Sequence, residues 1–229
     1  MARFYTLRIR EVRPETPDAV TIVFDLPDEL KETFRWKPGQ YLTLRLQIEG
    51  REQRRSYSIC TAPHEGVLAV TVKRVPGGLV SNWLNDHAAA GMEIEVMPPQ
   101  GRFTPDLHPD HRKTYYLFAA GSGITPMMAI IKAVLEEEPQ SSVFLLYGNR
   151  NEQSIIFRKE LDALAQRYEG QFVVEYTLSR PETERASGVG GWFGKRHVLW
   201  QGRTGRIDAE MVHDFLQRHQ PLYDDCEYF

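Results

Sequence analysis

Residues 113–138 read KTYYLFAAGSGITPMMAIIKAVLEEE, and the reading of this stretch decides the fold. Tyr115 to Ala120 is an apolar run of the length of one buried strand. Gly121-Ser122-Gly123 follows, a turn open to backbone angles that a Cβ resists. Thr125 stands where a helix N-cap belongs, and Pro126 where a first helical residue has no use for its N–H. Met127, Met128, Ile131, Val134 and Leu135 then recur at helical spacing. Strand, glycine turn and helix start, with Ile124 between them, present backbone N–H groups and a positive dipole end to an anion. Pro126 replaces the third glycine of G-x-G-x-x-G, so this pattern alone does not exclude an ordinary strand-to-helix turn.

The chain around it has 229 residues, enough for two modest domains or one large one. It is 41% apolar and 26% charged with a net charge of −3, the balance of a soluble globular protein. No basic excess points to nucleic acid, and no apolar run approaches the roughly 20 residues of a membrane span. The opening MARFYTLRIREV enters strand-like alternation without a signal-peptide core, so a cytoplasmic location is expected. Cys60 and Cys226 cannot make a disulfide framework or a four-thiolate cluster, and read as small apolar fillers. The seven histidines lack metal-ligand spacing, so no metal site is expected.

The first half has the punctuation of an antiparallel β domain. Strand-like runs lie at Tyr5–Val12, Ala19–Leu26, Tyr41–Ile48, Arg55–Thr61, Leu68–Lys73 and Glu93–Met97, with turn signals such as Lys37-Pro38-Gly39 between them. Six strands and one helix, Leu79–Ala90, predict a small closed barrel over residues 1–108. Alternation places Arg55, Tyr57 and Ile59 on one face of their strand and Ser56 and Ser58 on the other. An arginine, a flat aromatic and nearby hydroxyls suit a phosphate and a ring, although a salt-bridged arginine beside a core tyrosine is the plainer reading of one strand. Gly77-Gly78-Leu79-Val80-Ser81, after Val72 and Lys73, gives a second anion-receptive helix start or a plain turn.

In residues 109–229 strand and helix alternate: strand 115–120, helix 126–137, strand Val143–Tyr147, helix Phe157–Tyr168, strand Phe172–Leu178, helix Asp208–Arg218 and a last strand near Cys226. This predicts a parallel sheet covered by helices, with ligands beyond the carboxyl ends of its strands. The residues there are Gly121–Thr125, Gly148, Asn149, Arg150, Ser179 and Arg180. Two arginines with a serine suit the ribose-linked phosphate of NADPH, and no acidic residue suited to the NADH ribose ends either strand. NADPH is therefore favoured over NADH. The glycine-rich loop 183–206 reads either as a lid or, slightly better, as a disordered connection.

With these stretches in order, the chain resembles the ferredoxin–NADP reductase superfamily. Arg55-Ser56-Tyr57-Ser58 matches its flavin motif, Gly77-Gly78-Leu79-Val80-Ser81 its second phosphate loop, and Gly121-Ser122-Gly123-Ile124-Thr125-Pro126 its nicotinamide-nucleotide motif. KRVPGGLVSNWL, AAGSGITPMMAIIK and YGNRNEQSIIFRKEL look most like oxygenase reductases of the phenylacetyl-CoA epoxidase type. The resemblance implies FAD on the barrel, NAD(P)H on the second domain and hydride passing from nicotinamide to flavin, with electrons going on to an oxygenase component. By matched position Arg55 would hold the FAD pyrophosphate, Tyr57 would lie against the flavin and Ser58 would bond near its reactive edge. Gly78 to Ser81 would give backbone bonds to the pyrophosphate. Gly121, Gly123 and Thr125 would line the NAD(P)H cleft, with Arg150 and Arg180 on the adenosine phosphate. The protein would align two rings, and the cofactors would carry the reaction.

The family's last strand runs on into a Cys-Gly-Pro segment, whereas this sequence ends at Cys226-Glu227-Tyr228-Phe229, and no [2Fe-2S] domain follows. The expectation is the reductase core of a longer protein, with hydride transfer impaired. A free-standing reductase of flavin, ferric or quinone acceptors, and a flavin-binding module without turnover, are the alternatives.

Overall fold

The computed structural model describes residues 3–185 and 196–229. The readings that fall on residues 186–195, including Trp192 and Phe193 of the long loop, lie outside the described residues.

The first sheet contains β1 (Tyr5–Thr16), β2 (Ala19–Asp25), β3 (Tyr41–Ile48), β4 (Arg51–Ser58), β5 (Leu68–Lys73) and β6 (Glu93–Val96), antiparallel in the order β4-β3-β6-β1-β2-β5. Alternation builds its core: Leu42, Leu44, Leu46 and Ile48 of β3 are buried while Thr43, Arg45 and Gln47 face out. The bridge between Ile59 and Val70, with Cys60 N–H on Ala69 O at 3.0 Å, closes the sheet into the predicted barrel. Helix α1 (Leu79–His87) buries Val80 and Leu84 against it.

β4 starts four residues before the sequence suggests and stops at Ser58. Arg51–Arg54 carry no hydrophobic signal, yet they pair with Arg45–Ile48 through a two-residue turn, Glu49 and Gly50, both at positive φ (53° and 71°). That geometry matches the twist of the flanking strands, and the turn sets the register where side-chain pattern is silent.

The second sheet contains β7 (Thr114–Ala120), β8 (Ser142–Asn149), β9 (Phe172–Leu178), a two-residue β12 (Arg203–Thr204) and β13 (Cys226–Tyr228), all parallel in the order β12-β9-β8-β7-β13. Every residue of β8 is buried, as expected of a central strand covered on both faces. Helices α2 (Ile124–Glu137) and α3 (Arg158–Arg167) cover one face through Tyr115, Leu117, Val143 and Leu145. Helix α4 (Ala209–Arg218) covers the other, with Phe215 on Tyr116, Phe144 and Leu146. Between β9 and β12 lies a short hairpin, β10 (Thr183–Arg185) with β11 (Arg196–Val198).

The two sheets share one apolar seam. Ala19 and Val23 of β2, Ala69 of β5 and Cys60 belong to the same buried cluster as Met127, Ile130 and Val134 of α2. The outer face of the barrel thus packs on the helix that follows the glycine turn, which brings both halves of the sequence to one opening.

The start of α2 corrects one expectation. Gly121–Gly123 form a 3-10 turn, the helix begins at Ile124, and Gly123 is its N-cap. Thr125 therefore lies inside the first turn, buried, donating its hydroxyl to the Ser122 carbonyl at 2.9 Å rather than capping. Pro126 is still within the turn whose N–H groups have no helical partner, so it disrupts nothing.

Candidate functional site

A cleft of about 490 Å³ opens between the barrel and the start of α2. One wall is Arg55, Ser56, Tyr57 and Ser58 at the end of β4; another is Val75 and Gly78 to Ser81 at the start of α1. The third is Ser122, Gly123, Thr125 and Pro126, and Thr71 and Lys73 of β5 also line the space. The three sequence motifs, spread along the chain from Arg55 to Pro126, thus face one volume.

The expected division of Arg55 and Tyr57 from Ser56 and Ser58 follows the pairing of β4, which sets Arg55 and Tyr57 opposite the buried Leu44 and Leu42 and Ser56 opposite the outward Thr43, yet all four line the cleft. β4 ends the sheet order and has its long pairing on one side only, so its other edge faces the cleft and four consecutive residues border it. Ser56 is also bonded across to Thr43 at 3.0 Å.

Two cations define the electrostatics. Among the described residues Arg55 and Lys73 make no ion pair, whereas neighbouring Arg45, Arg54 and Arg74 are all paired with carboxylates. Arg55 donates only to the Arg54 carbonyl, at 2.7 Å. Burial lowers the Lys73 ammonium below the ordinary lysine value, with Asp18 acting against this and Arg150 adding to it. A half-buried Lys73 and an exposed Arg55, neither with a carboxylate partner among the described residues, favour an anion such as a phosphate. Burial pushes the Tyr57 phenol up to about 12 against the opposing Arg55, so its ring stands as a neutral face.

The loop from Arg74 to Ser81 is held from beneath. Ser81 Oγ accepts from Val75 N at 3.1 Å, Asn82 Nδ2 donates to Val75 O at 3.1 Å, and Gly78 N donates to Val75 O at 2.8 Å. A Cβ on Gly78 would lie 2.7 Å from Ser81 Oγ and 3.0 Å from Val75 Cβ, so this is a cradle only glycine fits.

A second hollow of about 340 Å³ lies beyond the carboxyl ends of the parallel strands. Gly121, Gly148, Asn149, Arg150 and Ser179 line it, joined by Gly205, Arg206 and Ile207. Gly121 sits at φ +53°, and a Cβ there would meet Lys73 Nζ at 3.4 Å, which places Lys73 at the junction of the two spaces. The Asn149 side chain is buried with both polar atoms unpartnered in the structure, the condition of a group made to meet a ligand.

Not every singled-out residue reaches a cavity. Ile59 and Val72 are in the barrel core and Ile124 in the shared seam, all fully buried. Only their backbones are available, and the Ile59 N–H is already given to Gln40 O at 2.8 Å. Arg180 is exposed and lines neither space. Sequence reasoning missed Thr71, although the period of two from Lys73 points to it. It also missed Gly205–Ile207, which carry no local signal and reach the hollow only because β12 pairs with β9. Among the described residues no group of three or more His, Cys, Asp or Glu could hold a metal ion, and no helix is long and apolar enough to cross a membrane.

Comparison with known proteins agrees with this arrangement. Residues 6–104 match the oxidoreductase FAD-binding domain family and residues 117–191 the oxidoreductase NAD-binding domain family. The chain is 45% identical over 168 residues to one of the subunits of 1,2-phenylacetyl-CoA epoxidase from Escherichia coli (strain K12), covering 73% of this chain and 47% of that protein. It is 43% identical over 179 residues to the ferredoxin reductase component of 3-ketosteroid-9-alpha-monooxygenase of Rhodococcus rhodochrous, covering 77% and 50%. The chain thus spans about half the length of these curated relatives. A ferredoxin NADP+ reductase from Neisseria gonorrhoeae shares the fold, with a TM-score of 0.74 at 21% identity over 100% of this chain and 85% of that one. Barrel, parallel sheet, motifs and relatives lead to one conclusion: the chain belongs to the family of oxidoreductases built of an FAD-binding and an NAD-binding domain, on the fold of a ferredoxin NADP+ reductase.

Proposed function

We propose that this chain is the reductase core of an oxygenase system, taking hydride from NAD(P)H to FAD and passing electrons to an oxygenase component. The observation that carries this is the single cleft in which the ends of β4, α1 and α2 meet. The names of the two relatives, one from an epoxidase and one a monooxygenase reductase component, support the acceptor class.

The residues fit the two groups. Arg55 and the N–H groups of Gly78 to Ser81 suit the FAD pyrophosphate, because a charged donor and a glycine cradle face the same space. Tyr57 offers a flat face, and Ser58 a hydroxyl beside it. FAD bound there supplies hydride acceptance and onward one-electron transfer. The protein's part is orientation and exclusion of water, so Tyr57 and Ser58 act by holding a ring rather than by acid or base chemistry. Gly121, Gly123 and Thr125 line the path of the nicotinamide, and Asn149, Arg150 and Ser179 receive the adenosine half, which favours NADPH. We place the division between the two units at residues 108–109.

The test is the visible spectrum of FAD-reconstituted protein, before and after anaerobic NADPH and then NADH. A flavin spectrum that bleaches, faster with NADPH, is expected. Failure to take up FAD overturns the reading.

A further inference from the structure

The seam between the barrel and the α/β unit is apolar, with small side chains on the barrel side, and such packing fixes contact without fixing direction. One polar tie crosses it. Lys132 of α2 has a side chain only 10% exposed, and its ammonium bonds Glu65 of the barrel at 3.0 Å and Glu160 of α3 at 3.2 Å. Among the described residues, Lys132–Glu65 is the only ion pair or side-chain hydrogen bond joining residues 3–104 to residues 113–229. Burial alone would lower the Lys132 ammonium, but Glu160 and Glu65 more than offset it and hold it above the ordinary lysine value. Lys132 is therefore charged and committed to this contact.

One end of the tie lies on the helix whose start forms a wall of the cleft, and the other on the turn that follows the strand forming the facing wall. Lys132 is six residues beyond Pro126 on the same helix, about 9 Å along its axis. Glu65 is seven residues beyond Ser58, in a 3-10 turn it braces itself, with Oε2 accepting from Ala62 N at 2.5 Å. A shift at this pair is transmitted to both walls.

We propose that Lys132 is a positioning residue for hydride transfer: its bond to Glu65 fixes the α/β unit against the barrel and so sets the separation between the wall at Ser122–Pro126 and the wall at Arg55–Ser58. This rests on the flavin and nicotinamide reading above. Glu160 belongs to the same unit as Lys132, so its bond does not set that separation.

The experiment compares Lys132→Met, Glu65→Gln, Glu160→Gln and Lys132→Arg with the parent, all loaded with FAD. Lys132→Met and Glu65→Gln should keep FAD and nucleotide affinity but bleach about tenfold more slowly in a single anaerobic turnover, since misplacement by about 1 Å costs up to about 100-fold. Glu160→Gln should stay within about twofold, and Lys132→Arg should recover most of the rate. Amide hydrogen exchange should quicken around residues 60–71 in the first two variants only; Glu65→Gln carries the test if Lys132→Met does not fold. Parent rates in both, or a Glu160→Gln loss equal to that of Glu65→Gln, would overturn the proposal. If the parent takes up no FAD, or bleaches with neither nucleotide, it is the functional reading that fails. The exchange measurement then decides the tie by itself, and unchanged exchange in Glu65→Gln rejects it.

Discussion

The Tyr147 hydroxyl, on the central strand β8, donates a hydrogen bond of 2.9 Å to the carbonyl oxygen of Gly121. It fastens the glycine turn, with its left-handed φ of +53°, to the most buried strand of the parallel sheet. Tyr147→Phe keeps the packing and removes the fastening, leaving that carbonyl to water. The expected result is a loss of about 1 kcal/mol in thermal stability and a several-fold weaker nucleotide, with FAD unaffected. Calorimetry and nucleotide titration of the FAD-loaded protein check this; an unchanged nucleotide affinity would show that the turn holds its shape unaided.

Gly78→Ala puts a Cβ 2.7 Å from Ser81 Oγ, the atom that accepts Val75 N–H. The loop must shift, with a stability loss of about 1 kcal/mol and a marked fall in FAD content. Arg55→Ala should also lose FAD, but without the stability loss, because Arg55 bonds only a carbonyl next door. Flavin stoichiometry alongside melting temperature separates the two.

For the nucleotide, Arg150→Ala should weaken NADPH far more than NADH, since Arg150 lines the hollow with Ser179. Arg180 lies outside it, so Arg180→Ala should weaken NADPH by a smaller factor. Dissociation constants of both nucleotides for both variants decide the order, and equal losses of NADPH and NADH would remove either arginine from phosphate recognition.

Burial pushes the Cys60 thiol up to about 12, with the Thr71 hydrogen bond acting against it. Cys226 is half-buried, and burial raises it less. A thiol reagent at pH 8 should therefore modify Cys226 alone in the folded protein and both residues after denaturation. Rapid labelling of Cys60 in the native state would mean that the seam opens.

Glu15 accepts a hydrogen bond from Thr21 at 2.7 Å, and burial raises its carboxyl above the ordinary 4.5 despite that bond. The folded carboxyl holds its proton more tightly than the unfolded one. Its stabilising contribution is thus full below 4.5 and is lost as pH rises through the higher folded value. Glu15→Gln keeps an acceptor for Thr21 and removes the titration. The variant should equal the parent near pH 4 and gain on it towards pH 7 in denaturant unfolding.

The sequence was most legible where period and chemistry coincide. The apolar run ending in Gly121-Ser122-Gly123, the alternation of β3 and the strand-helix order after residue 113 all signal the fold directly. Arg51–Arg54 were illegible as strand because only the Glu49-Gly50 turn and pairing with β3 define them. Arg206 and Ile207 were illegible as site residues because a contact between distant strands brings them there. Thr125 was misread as a cap because the 3-10 turn moves the helix start back by two positions, a difference of hydrogen bonding that residue type does not encode.

The barrel's closure has a thermodynamic consequence. Beyond the ends of the regular pairing, β4 and β5 meet through the bridge of Ile59 with Val70 and the Cys60–Ala69 bond. Tyr57 and Ser58 stand on one side of that join, Thr71 and Lys73 on the other, and all four line the cleft. A molecule seated there grips both lips of the join, so it acts as a zipper pull for the whole barrel. Its departure comes before unfolding rather than after it, and the melting point of the barrel climbs with the concentration of what it binds.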